Sequence, residues 1–421
     1  MSSLQDQPAL GEEIGVSGRK KFLSRAVYVL IELLLCVALA ELALRFLPLG
    51  KYRSAPFRQY DPIIGLSLIP NKHLVHSRGC FRGEVSINRW GMRDRERTVE
   101  KAAWEYRIAM IGDSAVEAVQ VKSDEVVNIR MEKLLRNVGY NNVEVMNFAV
   151  EGIGTTQELL LYKERVRQFH PDLVLLMFSP NDVFNNSSTL QPKIYGIHDW
   201  YCPYFDLAPD GELVFKPVEP RHFNKLRSYL EAHSLLVYYL ERVWFSVDLL
   251  GGSIAALVPL YNWGGLPLYY GTYSDDPLDD EWRQAWQVTG EVLGILRDTV
   301  TADGAKFIVL AWPFESDMDQ DFQQRLIKRY GKIPPLFRPF KPQQRLKEIA
   351  DSGSIPFDSL APYMQAYREH HHLQWPYFSF TCDPHYTALG HEVAAQAIVQ
   401  RLEEHRLLPP LSGGASSMRP N

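Results

Sequence analysis

Cysteine is scarce in this chain. Its 421 residues include four cysteines, with no C-x-x-C pair and no His/Cys cluster at zinc-ligand spacing. A structural metal site is therefore not expected, and we expect no cofactor. Two possibilities stay open for Cys80 and Cys202, which either pair in an exported chain or remain unpaired buried thiols.

Basic runs and repeats of fixed period are also missing. Lys plus Arg number 45 and Asp plus Glu number 50, which gives a formal net charge of −5. A nucleic-acid partner therefore has little electrostatic support. The absence of a repeat excludes solenoids and propellers. With 46% hydrophobic and 23% charged residues, the composition is that of a globular protein.

One long apolar run lies near the N-terminus. Residues 26–44 contain two charged side chains, Glu32 and Glu41, and the run approaches the roughly 20 residues that a helix needs to cross a bilayer. We predict a single-pass membrane anchor at residues 26–47, preceded by a cytoplasmic tail at residues 1–25. Basic residues are equally frequent on both sides of the run, so charge does not set its orientation.

Two other interpretations of this run are a cleaved signal peptide and a buried amphipathic helix. Ala38-Leu39-Ala40 resembles a small-residue cleavage site, and acidic residues inside a span are costly. We favour the uncleaved anchor, with the rest of the chain in the periplasm or outside the cell.

Apolar strands alternate with helical patterns along most of the remaining chain. The patterns predict strands at residues 107–111, 143–148, 173–178, 306–311 and 355–357, and helices at residues 125–137, 157–169, 281–299, 343–350 and 391–402. Such alternation is typical of a parallel sheet covered on both faces. The sequence therefore predicts an α/β domain in two parts, at residues 106–186 and 279–405. A connector at residues 48–105 precedes the domain, and a disordered tail at residues 406–421 follows it.

The alternation stops at residues 187–278, which are rich in aromatic residues and proline. We predict a cap that includes a hairpin turning at Pro209-Asp210-Gly211 and a helix at residues 230–250. A second small core is the alternative. Trp200, Trp244 and Trp263 either stack on sugar rings or, as we favour, pack in the interior.

Polar residues follow the first and last elements of the α/β domain. Ser114 comes directly after the first strand, in Gly112-Asp113-Ser114, and Asp383 and His385 precede the last helix. A serine nucleophile needs a base that takes its proton, and a carboxylate orients such a base. Helix capping by Ser114 and a surface turn at Asp383 are the structural alternatives.

Possible oxyanion donors follow the second and third strands. Gly152 lies in Asn147–Gly154, and Asn181 lies in Ser179–Asp182. A glycine N–H and an asparagine amide both suit a point where negative charge develops. Because the carboxyl ends of parallel strands meet at one edge of a sheet, we expect these groups near Ser114.

Ser, Gly, Asn and His in this order resemble the SGNH (GDSL-type) hydrolase superfamily. The resemblance extends from about Gly83 to Leu402. It is greatest to a bacterial branch with one N-terminal membrane helix, an N-x-x-G-x-R run, here Asn88 to Arg93, and a long insertion after the asparagine block. It implies a three-layer, flavodoxin-like fold with a mostly parallel sheet.

The resemblance also implies roles for individual residues. Ser114 is the implied nucleophile, and His385 is the base, oriented by Asp383. The N–H groups of Ser114 and Gly152 and the side chain of Asn181 form the implied oxyanion hole.

Three features depart from the family pattern. The loop that carries Gly152 is one residue longer than usual, which makes Gly154 a secondary candidate. The acid precedes His385 by two residues rather than three, and Ala115 stands where a leucine is common. His391 and the run at residues 370–372 are better explained as structural and exposed histidines than as a base or a metal site.

We therefore expect a membrane-anchored serine esterase that cleaves an acyl ester of a small molecule, a cell-surface glycan or a lipid. An O-acyltransferase that modifies a polysaccharide would use the same residues. A glycan-binding or scaffold protein with an idle site is the non-enzymatic alternative.

Overall fold

The computed structural model describes residues 12–46, 57–195, 202–217, 226, 229–230, 233–240, 268–275, 279–319, 321–330 and 337–411. The first described element is one long helix, α1 (Glu12–Phe46). Its segment Ser24–Phe46 has a mean hydropathy of 2.4 and is not buried against the rest of the chain. Length and composition of this segment fit a membrane span, and a signal sequence near the N-terminus meets the same test.

Two antiparallel hairpins precede the main sheet. β1 (Arg58–Asp61) pairs with β2 (Gly65–Leu68), and β3 (His73–Arg78) pairs with β4 (Phe81–Ser86). The segment predicted as a connector is anchored in the α/β unit, because the buried Arg93 guanidinium donates to main-chain carbonyls at the start of that unit.

The first part of the α/β unit comprises β5 (Tyr106–Gly112), α2 (Ser114–Glu117), α3 (Val127–Asn137), β6 (Val143–Asn147), α4 (Thr155–Leu161), β7 (Leu173–Phe178), α5 (Asp182–Asn185) and α6 (Leu190–Tyr195). The insertion contributes the hairpin of β8 (Tyr204–Leu207) and β9 (Leu213–Lys216). The second part comprises α7 (Asp280–Ala302), β10 (Lys306–Ala311), α8 (Glu315–Met318), α9 (Phe322–Tyr330), α10 (Lys341–Ser352), β11 (Phe357–Ser359), α11 (Ala361–His370), β12 (Ser379–Phe380), β13 (Asp383–Tyr386) and α12 (Ala388–Glu404).

Five parallel strands form the central sheet, in the order β11-β10-β7-β5-β6. Numbered along the chain, this is the doubly wound order 2-1-3-4-5 of flavodoxin-like folds. The predicted fold class is therefore confirmed. The order reverses between β5 and β7, and ligands of such sheets bind outside the carboxyl ends of the strands at that point.

The apolar strand β7 shows how the sheet is covered. Leu173, Leu175 and Met177 pack in a core cluster with α3, α11 and α12. Val174 and Phe178 alternate with them and pack in a second cluster with α4, α7 and α10. Because successive side chains of a strand point to opposite faces, a continuous apolar run fits a strand buried on both sides.

The insertion follows the predicted hairpin where it is described. β8 and β9 pair antiparallel, and Gly211 takes the left-handed conformation at φ +87° in the predicted turn. Residues 235–240 are helical, within the helix predicted at 230–250. The rest of that helix and the three tryptophans of the cap, at positions 200, 244 and 263, lie outside the described residues.

Candidate active site

Ser114 is the first residue of α2, directly beyond the carboxyl end of β5. The Asp113 carboxylate caps this short helix by accepting the N–H of Ala115 at 2.9 Å. Gly112 allows the tight turn from strand to helix, because a Cβ there would lie 3.1 Å from the Val116 side chain. Ser114 itself is half-buried, at the reversal point of the sheet.

Asp113 also holds the residues that follow β7. The Asn181 amide donates to Asp113 Oδ2 at 2.6 Å, and the Ser179 hydroxyl donates to Oδ1 at 3.1 Å. Burial raises the pKa of Asp113, while the hydrogen bonds from Asn181 and Ala115 oppose that rise. Since the amide of Asn181 carries two N–H donors, one is left for a ligand.

The two candidate glycines differ in what their N–H groups do. Gly152 has φ +75°, a conformation that favours glycine, and neither its N–H nor that of Ser114 donates to another described residue. The N–H of Gly154 instead donates to Gln157 Oε1 at 2.7 Å. Gly152 is therefore the better candidate for an oxyanion donor.

His385 and Asp383 lie on β13 of a small antiparallel hairpin. His385 Nδ1 and Asp383 Oδ1 are 2.5 Å apart, and the main-chain N–H of His385 donates to the same oxygen at 3.1 Å. With Nδ1 donating, Nε2 is the acceptor that a general base needs. α2 contacts β13, so the Ser114 and His385 segments are neighbours.

The pKa of His385 reflects two opposing effects. Burial disfavours the imidazolium, but the hydrogen bond and charge of Asp383 outweigh it. The charges of Glu151 and Asp113 act in the same direction as Asp383. The pKa of His385 is therefore raised above its ordinary value.

Two contacts brace the segment before His385. Cys382, adjacent to Asp383, forms a disulfide with Cys80, which lies between β3 and β4. The Glu315 carboxylate accepts three consecutive N–H groups, from residues 377–379, at 2.5 to 2.9 Å. The prediction that Cys80 pairs with Cys202 or stays unpaired is wrong, because Cys382 lies next to Cys80 in the fold; Cys202 is buried and forms no disulfide.

An ion-pair network that the sequence did not suggest joins the Ser114 and Gly152 segments. Arg58 donates to Glu117 on α2 at 2.7 Å and forms an ion pair with Glu151. The main-chain N–H of Glu151 also donates to the Glu117 carboxylate. The sequence signal for this network was Glu117, an acidic residue three positions after Ser114. Its partner could not be inferred, because Arg58 lies far away in sequence.

Two further carboxyls are buried behind the site. Neither oxygen of Glu158 has a hydrogen-bond partner among the described residues, and Asp182 uses one oxygen to accept the N–H of Ser179. Burial raises the pKa of Glu158 well above its usual range, and the charge of Asp113 adds to the rise. Burial and the charges of Glu158 and Asp113 raise that of Asp182 in the same way.

The remaining histidines are placed away from this chemistry. His391 is buried, its ring packs near Trp312, and burial lowers its pKa to about 3. The histidines at 370–372 are exposed. No cluster of metal-binding side chains occurs among the described residues.

The comparison with protein families concerns the segment that contains Ser114. Residues 108–199 match the family model described as GDSL-like Lipase/Acylhydrolase. The segment that contains Ser114 is therefore similar to GDSL-like lipases and acylhydrolases. The match confirms the predicted ester-bond hydrolase class. It includes Ser114, Gly152 and Asn181 but ends before Asp383 and His385, whose roles depend on the geometry alone.

Solved structures similar to this chain include a lipase/acylhydrolase from Enterococcus faecalis, with 13% identity, a TM-score of 0.35, and coverage of 71% of this chain and 96% of that one. An acetylxylan esterase from Geobacillus stearothermophilus has 14% identity, a TM-score of 0.35, and coverage of 70% and 94%. These values are too low to bear on the substrate. No curated protein matches the chain.

Proposed function

We propose that this protein is a membrane-anchored serine esterase whose nucleophile is Ser114. His385 Nε2 takes the hydroxyl proton as Ser114 attacks the acyl carbon, and it returns that proton to the leaving alcohol. Asp383 stabilises the imidazolium. Water then hydrolyses the acyl-enzyme, again with His385 as the base.

The oxyanion of each tetrahedral intermediate is stabilised by donors from three adjacent strand ends. These donors are the N–H groups of Ser114 and Gly152 and the second N–H of the Asn181 amide. Asp113 supports this arrangement by fixing the amide, since it accepts the first N–H at 2.6 Å. Donors held in this way need no reorganisation when charge develops.

One observation carries the proposal: the helix that begins at Ser114 contacts the strand on which His385 and Asp383 are 2.5 Å apart. This contact supports the proposed roles of Ser114, His385 and Asp383, which lie more than half the chain apart in sequence.

The substrate that we propose is an O-acyl group on a cell-surface glycan or a lipid. The apolar segment Ser24–Phe46 supports membrane attachment. The disulfide between Cys80 and Cys382 supports a catalytic domain outside the cytoplasm, because disulfides persist in oxidising compartments.

The test is hydrolysis of short and long p-nitrophenyl esters, together with fluorophosphonate labelling. Ser114→Ala abolishes both turnover and labelling if Ser114 is the nucleophile. Ser123→Ala, at an exposed serine, is the matched control and retains both. Turnover by the Ser114→Ala protein at the parent rate would contradict the assignment. Acetylated polysaccharides and acylated lipids then separate the two substrate classes.

A further inference from the structure

Glu41 is an acidic residue in the apolar part of α1, and its hydrogen-bond partners explain how it is accommodated there. Its carboxylate accepts hydrogen bonds from the Ser234 hydroxyl at 2.8 Å and from the N–H groups of Leu235 and Leu236 at 3.1 and 2.9 Å. These groups lie at the start of the helical residues 235–240 of the insertion. The charge of Glu41 is therefore bound by a specific segment of the chain.

Arg45, one turn further along α1, strengthens this junction. Its guanidinium donates to Glu41 at 2.9 Å and to the main-chain carbonyl of His233 at 3.3 Å. Two side chains of α1 therefore bind the same short segment: Glu41 accepts from its N–H groups, and Arg45 donates to one of its carbonyls.

The position of Glu41 along α1 sets the depth of this segment. Glu41 precedes the last residue of the helix, Phe46, by five positions, which is about 7.5 Å at a rise of 1.5 Å per residue. In a 23-residue span centred on roughly 30 Å of hydrocarbon, this level is about 9 Å from the midplane, or about 6 Å inside the boundary with the headgroups, a depth that interfacial helices reach. Because Leu235 and Leu236 bind the carboxylate directly, they lie at that same level.

The segment around this junction exposes large apolar side chains. Leu226, Tyr229, Leu230 and Leu240 have exposed fractions of 57%, 60%, 38% and 58%. Leucine and tyrosine on a short segment at this level are typical of elements that lie in the membrane interface. Their position beside the apolar helix α1 points to lipid as their partner.

The same segment also lies near Arg58, which binds the Ser114 and Gly152 segments. Tyr238 lies within electrostatic reach of Arg58, whose guanidinium binds Glu117 and Glu151. Glu117 belongs to the helix of Ser114, and Glu151 precedes Gly152. The described residues 234–238 therefore connect Glu41 of the apolar helix with the surroundings of Arg58, which binds the Ser114 and Gly152 segments.

We propose that residues 226, 229–230 and 233–240 form a second membrane contact, which lies in the interface of a phospholipid bilayer and holds the catalytic edge of the sheet at the membrane surface. This inference rests on the proposed membrane anchoring by α1. Glu41 is a positioning residue for this contact.

The test uses the full chain in phospholipid nanodiscs, with Cys36→Ser and Cys202→Ser so that an added cysteine alone reacts with a nitroxide label. Labels are placed at Leu230→Cys in the proposed contact, at Leu34→Cys in the apolar helix, and at Val214→Cys in the exposed β8–β9 hairpin. Collisions of each label with oxygen, which concentrates in lipid, are compared with collisions with a water-soluble nickel chelate.

We expect the ratio of oxygen to nickel collisions to be several-fold higher at positions 34 and 230 than at position 214. A high ratio at position 34 with equal ratios at 230 and 214 overturns the membrane contact and leaves the anchor standing. Equal, low ratios at all three positions overturn the anchor and the contact with it.

A second pair of variants tests the role of Glu41. Glu41→Ala is expected to lower the ratio at position 230 several-fold toward that of position 214, with no change at position 34. Glu32→Ala, in the same apolar helix, is the matched control and leaves all three ratios unchanged. An unchanged ratio at position 230 in the Glu41→Ala protein contradicts the positioning role.

Discussion

The two halves of the candidate active site are held in different ways. Ser114, Gly152 and Asn181 follow three adjacent strands, and Asp113 ties the first of them to the last. The half that contains His385 lies on a short hairpin braced by Glu315 and by a disulfide to a residue 302 positions away. The half with Ser114, here the nucleophile half, is therefore positioned by the sheet with added ties from Asp113 and Glu117, whereas the half with His385, the base half, depends on individual cross-links.

The largest expected effect is in the base half. His385→Ala removes the proposed general base, and we expect kcat to fall by about 10²–10⁴. The measurement is steady-state hydrolysis of a soluble p-nitrophenyl ester. His372→Ala, at an exposed histidine, serves as the control. A parent-like kcat in the His385→Ala protein would mean that another group is the base.

In the nucleophile half, Asn181→Ala should lower kcat by about 10²–10³, the usual effect of losing one oxyanion donor. Ser179→Ala is the matched comparison, because it removes the other side-chain donor to Asp113 without removing an oxyanion donor. We expect the Ser179 variant to lose much less activity. Equal losses in both variants would show that Asn181 acts by holding Asp113 rather than by binding the oxyanion.

The disulfide allows the base half to be loosened without touching its chemistry. Cys382→Ser should lower the free energy of unfolding by about 2–4 kcal/mol and slow fluorophosphonate labelling. Cys202→Ser, at a cysteine outside the disulfide, is the control for replacing a cysteine. Denaturant unfolding and labelling rates give the two readouts. A labelling rate that survives the loss of the disulfide would show that Glu315 suffices as a brace.

The smallest expected effect is a shift in pH dependence. Protonated His385 is not a base, so kcat/KM should fall as the pH drops through its pKa. Because Asp383 raises that pKa, the fall begins at a higher pH than for an ordinary histidine. Asp383→Asn should move the midpoint to lower pH. The measurement is the pH profile of kcat/KM. An unchanged midpoint would show that Asp383 does not raise the pKa of His385.

The sheet and the position of Ser114 at its edge were predictable because both depend on local sequence patterns. The strands at residues 173–178 and 306–311 match β7 and β10 residue for residue, since a run buried on both faces stays apolar throughout. Ser114 and Asn181 then follow from their places after β5 and β7. The predicted short strand at 355–357 was less accurate, and β11 comprises Phe357–Ser359.

The braces of the site were not predictable, because each depends on contacts between distant segments. Nothing in the spacing of four cysteines distinguishes Cys382 from Cys202 as the partner of Cys80. Glu315 binds main-chain N–H groups, which any residue at 377–379 supplies. Arg58 meets Glu117 only once the N-terminal hairpins have packed on the sheet.

The insertion between β7 and β10 separates the two halves of the site in time as well as in sequence. Ribosomes add about 5–20 residues per second, so the roughly 200 residues from Asn181 to His385 take about 10–40 s to be made. During that interval the nascent chain contains Ser114, Gly152 and Asn181 but not His385, and Cys80 has no Cys382 to pair with. The proposed catalytic residues are therefore all present only after residue 385 has been made.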